Sequence, residues 1–328
     1  MKSYEKINYS LRPAKCIERK MLCQAMAKLT HFQNIETYRY VGFGSTYFSD
    51  FTLFHKTLGI KDLVSIEQDA ENSKRFLFNR PFSCIESVFK HSNDALYELS
   101  WENPTVLWLD YDDKLERGMF DDIDSFFAQA AEGSMFIMSV NAHPEDFRTS
   151  DNKLLKERRQ QMLEERVCRE KLPIDIGRHT LGLGDLPKVY RQIIIDQIHE
   201  TLNDRNGMLK PENKIQFKQL FNFIYQDGAQ MQTIGGVIYQ AKNEDLLQKA
   251  NFEELEFIKG FDDFFKIDIP CLTFRELFAL DTLLPEKIDK ATGRFNEDET
   301  PLTFLPPRDV KKYANIYRYF PAFTESNF

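Results

Sequence analysis

The residues best suited to chemistry sit where apolar runs end. Tyr38-Arg39-Tyr40-Val41 runs into two closely spaced glycines, Gly42 and Gly44, followed by Ser45. A strand that turns into a helix through glycines lets a ligand approach the backbone, and the helix start offers it free N–H groups. In a pyrophosphate-binding turn a third glycine completes G-x-G-x-x-G. That position is Tyr47, which would crowd both a pyrophosphate and the helix–strand contact. The turn favours a ligand without phosphate. Taken alone it also fits a turn built only for packing.

Further candidates follow in order. Ser65-Ile66-Glu67-Gln68-Asp69 closes a second apolar run. A carboxylate at Glu67, with Gln68 beside it, can accept both hydroxyls of a ribose, and its spacing from Gly44 fits one β-α-β unit. The alternative is a solvent-facing acid. Asn93-Asp94 opens a short helix, where either residue can meet an adenine amino group, cap the helix, or do both. S-adenosylmethionine carries no phosphate and tolerates Tyr47 in the turn better than a dinucleotide does. Asp110-Tyr111-Asp112-Asp113 leaves the most apolar run of all, and acids clustered at a strand end are costly without a purpose. Asp110 and Asp112 can bind an amino group or deprotonate an acceptor. Asn141 and His143 leave the next apolar run on the same side, and His143 is a candidate base. An Asp110–Asp112–Asn141 oxygen set suits a hard cation in kind but is short of ligands, so no metal is expected.

These residues need elements to carry them. The pattern predicts a helix from Pro13 to about Thr30, a strand at 38–41, a helix at 48–58, a strand at 63–66 and a helix at 70–78. A short strand at 82–85, a strand at 105–109, a helix at 120–131 and a strand at 135–140 follow. Such alternation implies a parallel sheet covered on both faces. The stretch 145–213 reads as mostly helical. Runs at 217–225 and 231–239, joined by Gln226-Asp227-Gly228-Ala229, read as a β-hairpin. Beyond Gln240 the chain reads as helical and irregular, with helices at 272–284 (capped by Thr273 and Glu276) and 310–319. Three parts are expected: an N-terminal helical segment, 1–34; a cofactor-binding domain, 35–240, with a helical insertion at 145–213; and a C-terminal helical extension, 241–328. Ser10 or its neighbours are the expected cap of the first helix. Arg12 and Lys15, at that helix start, either lid the ligand pocket or form a surface cation pair.

Composition limits the alternatives. The chain has 328 residues, 42% of them hydrophobic and 29 of them phenylalanine, enough for a large aromatic core. Its formal charge of −8 gives no basic footprint, so nonspecific nucleic-acid binding is disfavoured, though a specific RNA stays open. The run from Lys153 to Lys171 is basic, but Glu157, Glu164 and Glu165 interrupt it, so it reads as a solvated helix face. The five cysteines form no C-x-x-C pair, which argues against a disulfide framework or a zinc site. No apolar run is long enough for a bilayer, and the expected setting is the cytoplasm.

Val41-Gly42-Phe43-Gly44, Glu67, Asn93-Asp94 and Asp110, with the closing hairpin, resemble the class I S-adenosylmethionine-dependent methyltransferases. That resemblance implies a Rossmann-like α/β fold whose mostly parallel sheet ends in an antiparallel hairpin. It implies the methyl donor on Gly42, Gly44 and Ser45, with Glu67, Gln68, Asn93, Asp94 and Asp110 around it. More narrowly, Tyr9-Ser10-Leu11-Arg12-Pro13, Ser65-Ile66-Glu67, Phe78-Asn79-Arg80-Pro81, Trp108-Leu109-Asp110-Tyr111 and Tyr317-Arg318-Tyr319-Phe320-Pro321 resemble a bacterial group of O-methyltransferases. Proteins similar to these are encoded near anti-phage systems. The chain departs from the pattern in two places. Thr46 stands where the family has a third small residue, and the Asp/Asn-Pro-Pro-aromatic tetrapeptide of amino-methyltransferases is absent after Asp110, which favours an oxygen acceptor. The alternatives are a non-catalytic sensor or scaffold in a protein complex, and an NAD-dependent oxidoreductase, against which Tyr47 and the hairpin speak.

Overall fold

The computed structural model describes residues 12–147, 151–260, 262–296 and 302–321. The expected cap at Ser10 lies outside them.

The longest apolar runs form the middle of the sheet. In β4 (Thr105–Asp110) and β5 (Met135–Asn141) every residue but the last is buried, the signature of strands covered on both faces. On one side of them lie β1 (Arg39–Gly42), β2 (Asp62–Ile66) and β3 (Ile85–Val88). On the other lie β7 (Gln230–Gln240), β6 (Ile215–Gln226) and β8 (Phe265–Ile267). The order is β3-β2-β1-β4-β5-β7-β6-β8. Strands β1 to β5 are mutually parallel, β7 runs antiparallel to both β5 and β6, and β8 joins β6 in parallel. This is the expected Rossmann-like α/β fold, a mostly parallel sheet finished by an antiparallel hairpin, and it puts the carboxyl ends of β1, β2 and β4 along one edge, where open α/β sheets receive ligands.

Alternation along the strands fills two cores. Tyr40, Trp108, Ile137 and Tyr225 face a layer built from helices α1 (Pro13–Ala27) and α2 (Ser49–Leu58). Val41, Leu107, Leu109, Phe136 and Met138 face the opposite layer, with α5 (Gly118–Gln129) and α7 (Leu186–Asn206). Between them in sequence come α3 (Ser73–Asn79), α4 (Ser92–Glu98) and α6 (Asn152–Val167). Helices α8 (Glu244–Ala250), α9 (Phe274–Asp281) and α10 (Pro307–Ile316) follow the sheet. Thr273 and Glu276 form the expected capping box on α9. A satellite core of Leu277, Leu280, Ile288, Leu305, Val310 and Tyr313 holds α9 and α10 together. Tyr319 joins this part to α1 by donating to Gln24 and packing on Phe257. None of the helices among the described residues is long and apolar enough to cross a membrane.

Two elements differ from the pattern read in the sequence. The third strand begins at Ile85 rather than Phe82, because Phe82 ends in a turn and stacks on His55 at 4.4 Å. Strand β8 lies in a stretch that reads as helical or irregular, since three residues carry too little periodicity to be seen.

Candidate functional site

The glycine turn is built by crowding. Neither Gly42 nor Gly44 has a positive φ. A Cβ on Gly42 would sit 2.6 Å from the Tyr40 hydroxyl, and one on Gly44 would sit 2.4 Å from Ser65 Oγ and 2.8 Å from the Phe48 ring. The left-handed residues are Ser45 (φ 50°) and Phe48 (φ 46°), and Ser45 Oγ accepts from the Tyr47 amide at 3.3 Å. The two glycines thus let the turn lie flat on β2 and β4, and Ser45 bends it.

Glu67 faces this turn. Its Oε1 accepts from Ser65 Oγ at 3.0 Å, and the Gly44 and Ser45 amides lie against the carboxylate. Burial outweighs these donors, and the nearby Asp50 adds to it, so the Glu67 carboxyl is pushed up to about 7. The acid reads in the sequence as either a ribose ligand or a solvent-facing residue, and the second is excluded by its burial. Gln68 is exposed and makes no side-chain contact with Glu67 that the structure records.

The most heavily charged part of the site lies under α1. Lys15 is 1% exposed, and its Nζ reaches Asp110 Oδ1 at 2.6 Å, Glu18 Oε2 at 2.7 Å and the Tyr225 hydroxyl at 3.0 Å. It also lies 4.5 Å from the centre of the Trp108 ring. Burial alone would loosen its proton, but Asp110 and Glu18 outweigh that and hold the ammonium well above the ordinary lysine range. Lys15 is therefore no surface cation. Glu18 accepts from Thr233, whose hydroxyl is 2.7 Å from Ser139 Oγ, and Ser139 in turn accepts from Trp108 Nε1 at 3.0 Å. On the other flank the Tyr40 hydroxyl donates to Asp50, whose carboxyl burial raises and Arg19 opposes. The helix start is fixed from a distance: Asp227, in the β6–β7 turn, accepts from the amides of Ala14 at 3.2 Å and Lys15 at 3.0 Å. Nothing in the spacing of Lys15, Glu18 and Arg19 marks them as interior. The one sequence sign is that they interrupt a helix whose other residues are largely apolar.

The remaining candidates spread along the same edge. Asn93 donates to the Gly118 carbonyl at 2.9 Å and to Asp122 Oδ1 at 2.8 Å, which ties α4 to α5; Asp94 is exposed on the first turn of α4. Asp110 is 24% exposed through its carboxylate. Asp112 is exposed. Tyr111 between them donates to Asp122 and meets the Phe43 ring edge-on at 5.2 Å. Asn141 caps the next turn by accepting from the His143 amide at 3.0 Å. His143 has its Nδ1 buried with no hydrogen-bond partner among the described residues, and its Nε2 is 4.0 Å from Asp146. Among the described residues no three His, Cys, Asp or Glu side chains gather as metal ligands.

Residues 7–328 match the family described as "Putative O-methyltransferase". The chain belongs to that family. That membership agrees with the resemblance carried by the strand-end residues. No curated protein matches the sequence. Among solved structures it is similar to Trm1 from Pyrococcus horikoshii in complex with S-adenosyl-L-methionine. The identity there is 10%, covering 70% of this chain and 56% of that one, with a TM-score of 0.42. The chain thus spans little more than half the length of that protein. It is also similar to the N-methyltransferase NodS from Bradyrhizobium japonicum WM9 in complex with S-adenosyl-l-homocysteine (10% identity, 70% and 89% covered, TM-score 0.38). A third is spermidine synthase from Thermotoga maritima (9% identity, 75% and 67% covered, TM-score 0.37).

Proposed function

We propose that the chain is an S-adenosylmethionine-dependent methyltransferase acting on an oxygen acceptor, and that the Lys15–Asp110 pair at the end of β4 is the fixed point of the reaction. The observation that carries the reading is the buried ammonium 2.6 Å from Asp110 at the ligand edge of the sheet. The residues present suit the methyl donor. Glu67 is a buried acceptor for the ribose hydroxyls, beside Gly42, Gly44 and Ser45. The amide nitrogen of Asn93 is committed to Gly118 and Asp122, so its Oδ1 and the Asp94 carboxylate are the acceptors for the adenine amino group.

S-adenosylmethionine supplies a methyl group made electrophilic by its sulfonium. The chain contributes position and a place for one proton. Lys15 pairs with Asp110 through Oδ1, which fixes the side chain in place to accept from the acceptor's O–H or from an ammonium. To take a proton it would have to give up the ion pair. His143 suits that task better, as an imidazole on the neighbouring strand end whose Nδ1 has no hydrogen-bond partner among the described residues.

The test uses the purified protein, methyl-labelled S-adenosylmethionine and fractionated cell extract, with the product located by mass spectrometry. Label on oxygen, lost in His143→Gln and Asp110→Asn, is expected. A product methylated on nitrogen or carbon would overturn the oxygen assignment.

A further inference from the structure

The basic run in α6 is largely the solvated face that its sequence suggests, with Lys153 and Arg158 exposed, but Arg159 and Arg166 are partly covered. Arg159, Leu163 and Arg166 recur at helical spacing and turn inward together with Lys114, Glu145 and Tyr190 around a narrow cleft that opens to solvent. Lys114 comes from the loop after β4, and its Nζ donates to the His143 carbonyl at 2.5 Å and pairs with Glu145 at 3.2 Å. Arg159 Nε donates to the Glu145 carbonyl at 3.0 Å, and Arg166 pairs with the Glu145 carboxylate. The Asn141 amide donates to the Asp113 carbonyl at 2.9 Å, so the two loops that leave β4 and β5 are stitched together. The cleft therefore opens on the same edge of the sheet as Asp110 and His143.

Its charge is unbalanced. Three cations face one carboxylate, and Asp146, which also acts on Lys114, has its side chain 87% exposed. Burial presses the Lys114 ammonium toward losing its proton, even with Glu145 beside it. Half-buried cations in excess of their anions are costly, and guanidinium forks match the oxygens of a tetrahedral anion. The uncompensated charge suits a dianion better than a single carboxylate. A polyanion suits it poorly, because the chain carries a net −8 and Glu157, Glu164 and Glu165 line the outer side of α6.

We infer that the Lys114–Arg159–Arg166 cleft receives a phosphoryl group carried by a small methyl acceptor. This rests on the reading of the Asp110–His143 edge as the place of methyl transfer.

The experiment titrates the full chain with inorganic phosphate, with acetate and with a short single-stranded RNA, with and without saturating S-adenosylhomocysteine, by calorimetry and thermal shift. Phosphate is expected to bind and acetate to bind more weakly. Arg159→Gln, which removes a charged hydrogen bond, should weaken phosphate at least about tenfold, while Lys153→Gln on the outer side of the same helix should leave it unchanged. Lys114→Gln gives a second reading if Arg159→Gln folds poorly. Equal loss in Arg159→Gln and Lys153→Gln would mean an adventitious ion only and would overturn the inference. So would stronger binding of acetate, or tight binding of RNA with a steep salt dependence. If S-adenosylhomocysteine binds and phosphate does not, this inference alone falls. If phosphate binds as expected and S-adenosylhomocysteine does not, the cleft stands as an anion site and the methyl-transfer reading falls.

Discussion

Glu67 carries its proton close to neutrality because burial outweighs the donors around it. Ribose hydroxyls donating to it would favour the carboxylate, so binding at lower pH must expel a proton. Affinity for S-adenosylhomocysteine should therefore rise about tenfold between pH 6 and 8, levelling off above 7, and Glu67→Gln should flatten the profile. Calorimetry in buffers of different ionisation enthalpy reads the released proton directly. Lys15 makes the second prediction. Replacing it with methionine strands Asp110 and Glu18 without their cation, at a cost of about 3–5 kcal/mol in urea unfolding. Adding Asp110→Asn should recover part of that loss, and a double-mutant cycle measures the coupling. Glu67 was legible in the sequence because it ends an apolar strand, whose direction is fixed by the sheet. Lys15 was not, because which face of a helix is interior depends on what docks against it. A charged triplet reads the same whether it meets water or a buried carboxylate.

At the scale of elements, α1 is held at its first turn by a residue from the β6–β7 turn. Asp227→Ala removes that cap and should cost about 1 kcal/mol, with faster hydrogen exchange at residues 14–18 and little change in α7. The strands of the first half were legible from their continuous apolar runs, and the hairpin from Asp227-Gly228 between two aromatic stretches. Strand β8 and the inward turn of α6 were not. The first is too short to show a period, and in the second Glu157, Glu164 and Glu165 hide the spacing of Arg159 and Arg166.

For the molecule as a whole, the raised carboxyls set the response to pH. Between the ordinary glutamate value of 4.5 and about 7 the folded chain keeps a proton on Glu67 that the unfolded chain has lost. Stability contributed there falls as pH rises through that window, by about 3 kcal/mol for Glu67, with Asp50 acting in the same direction. The lowered carboxyls of Glu145, Asp185 and Asp268 act oppositely, but only as pH falls below the ordinary carboxylate range. Urea unfolding should thus find the unliganded protein more stable at pH 5.5 than at pH 8, with the difference much reduced in Glu67→Gln. The contact between Asp227 and the amides of Ala14 and Lys15 also spans more than two hundred positions along the chain. During synthesis this helix emerges well ahead of its anchor, and it cannot be seated until the β6–β7 hairpin has left the ribosome. The lysine at the heart of the site is made long before the residue that fixes its place.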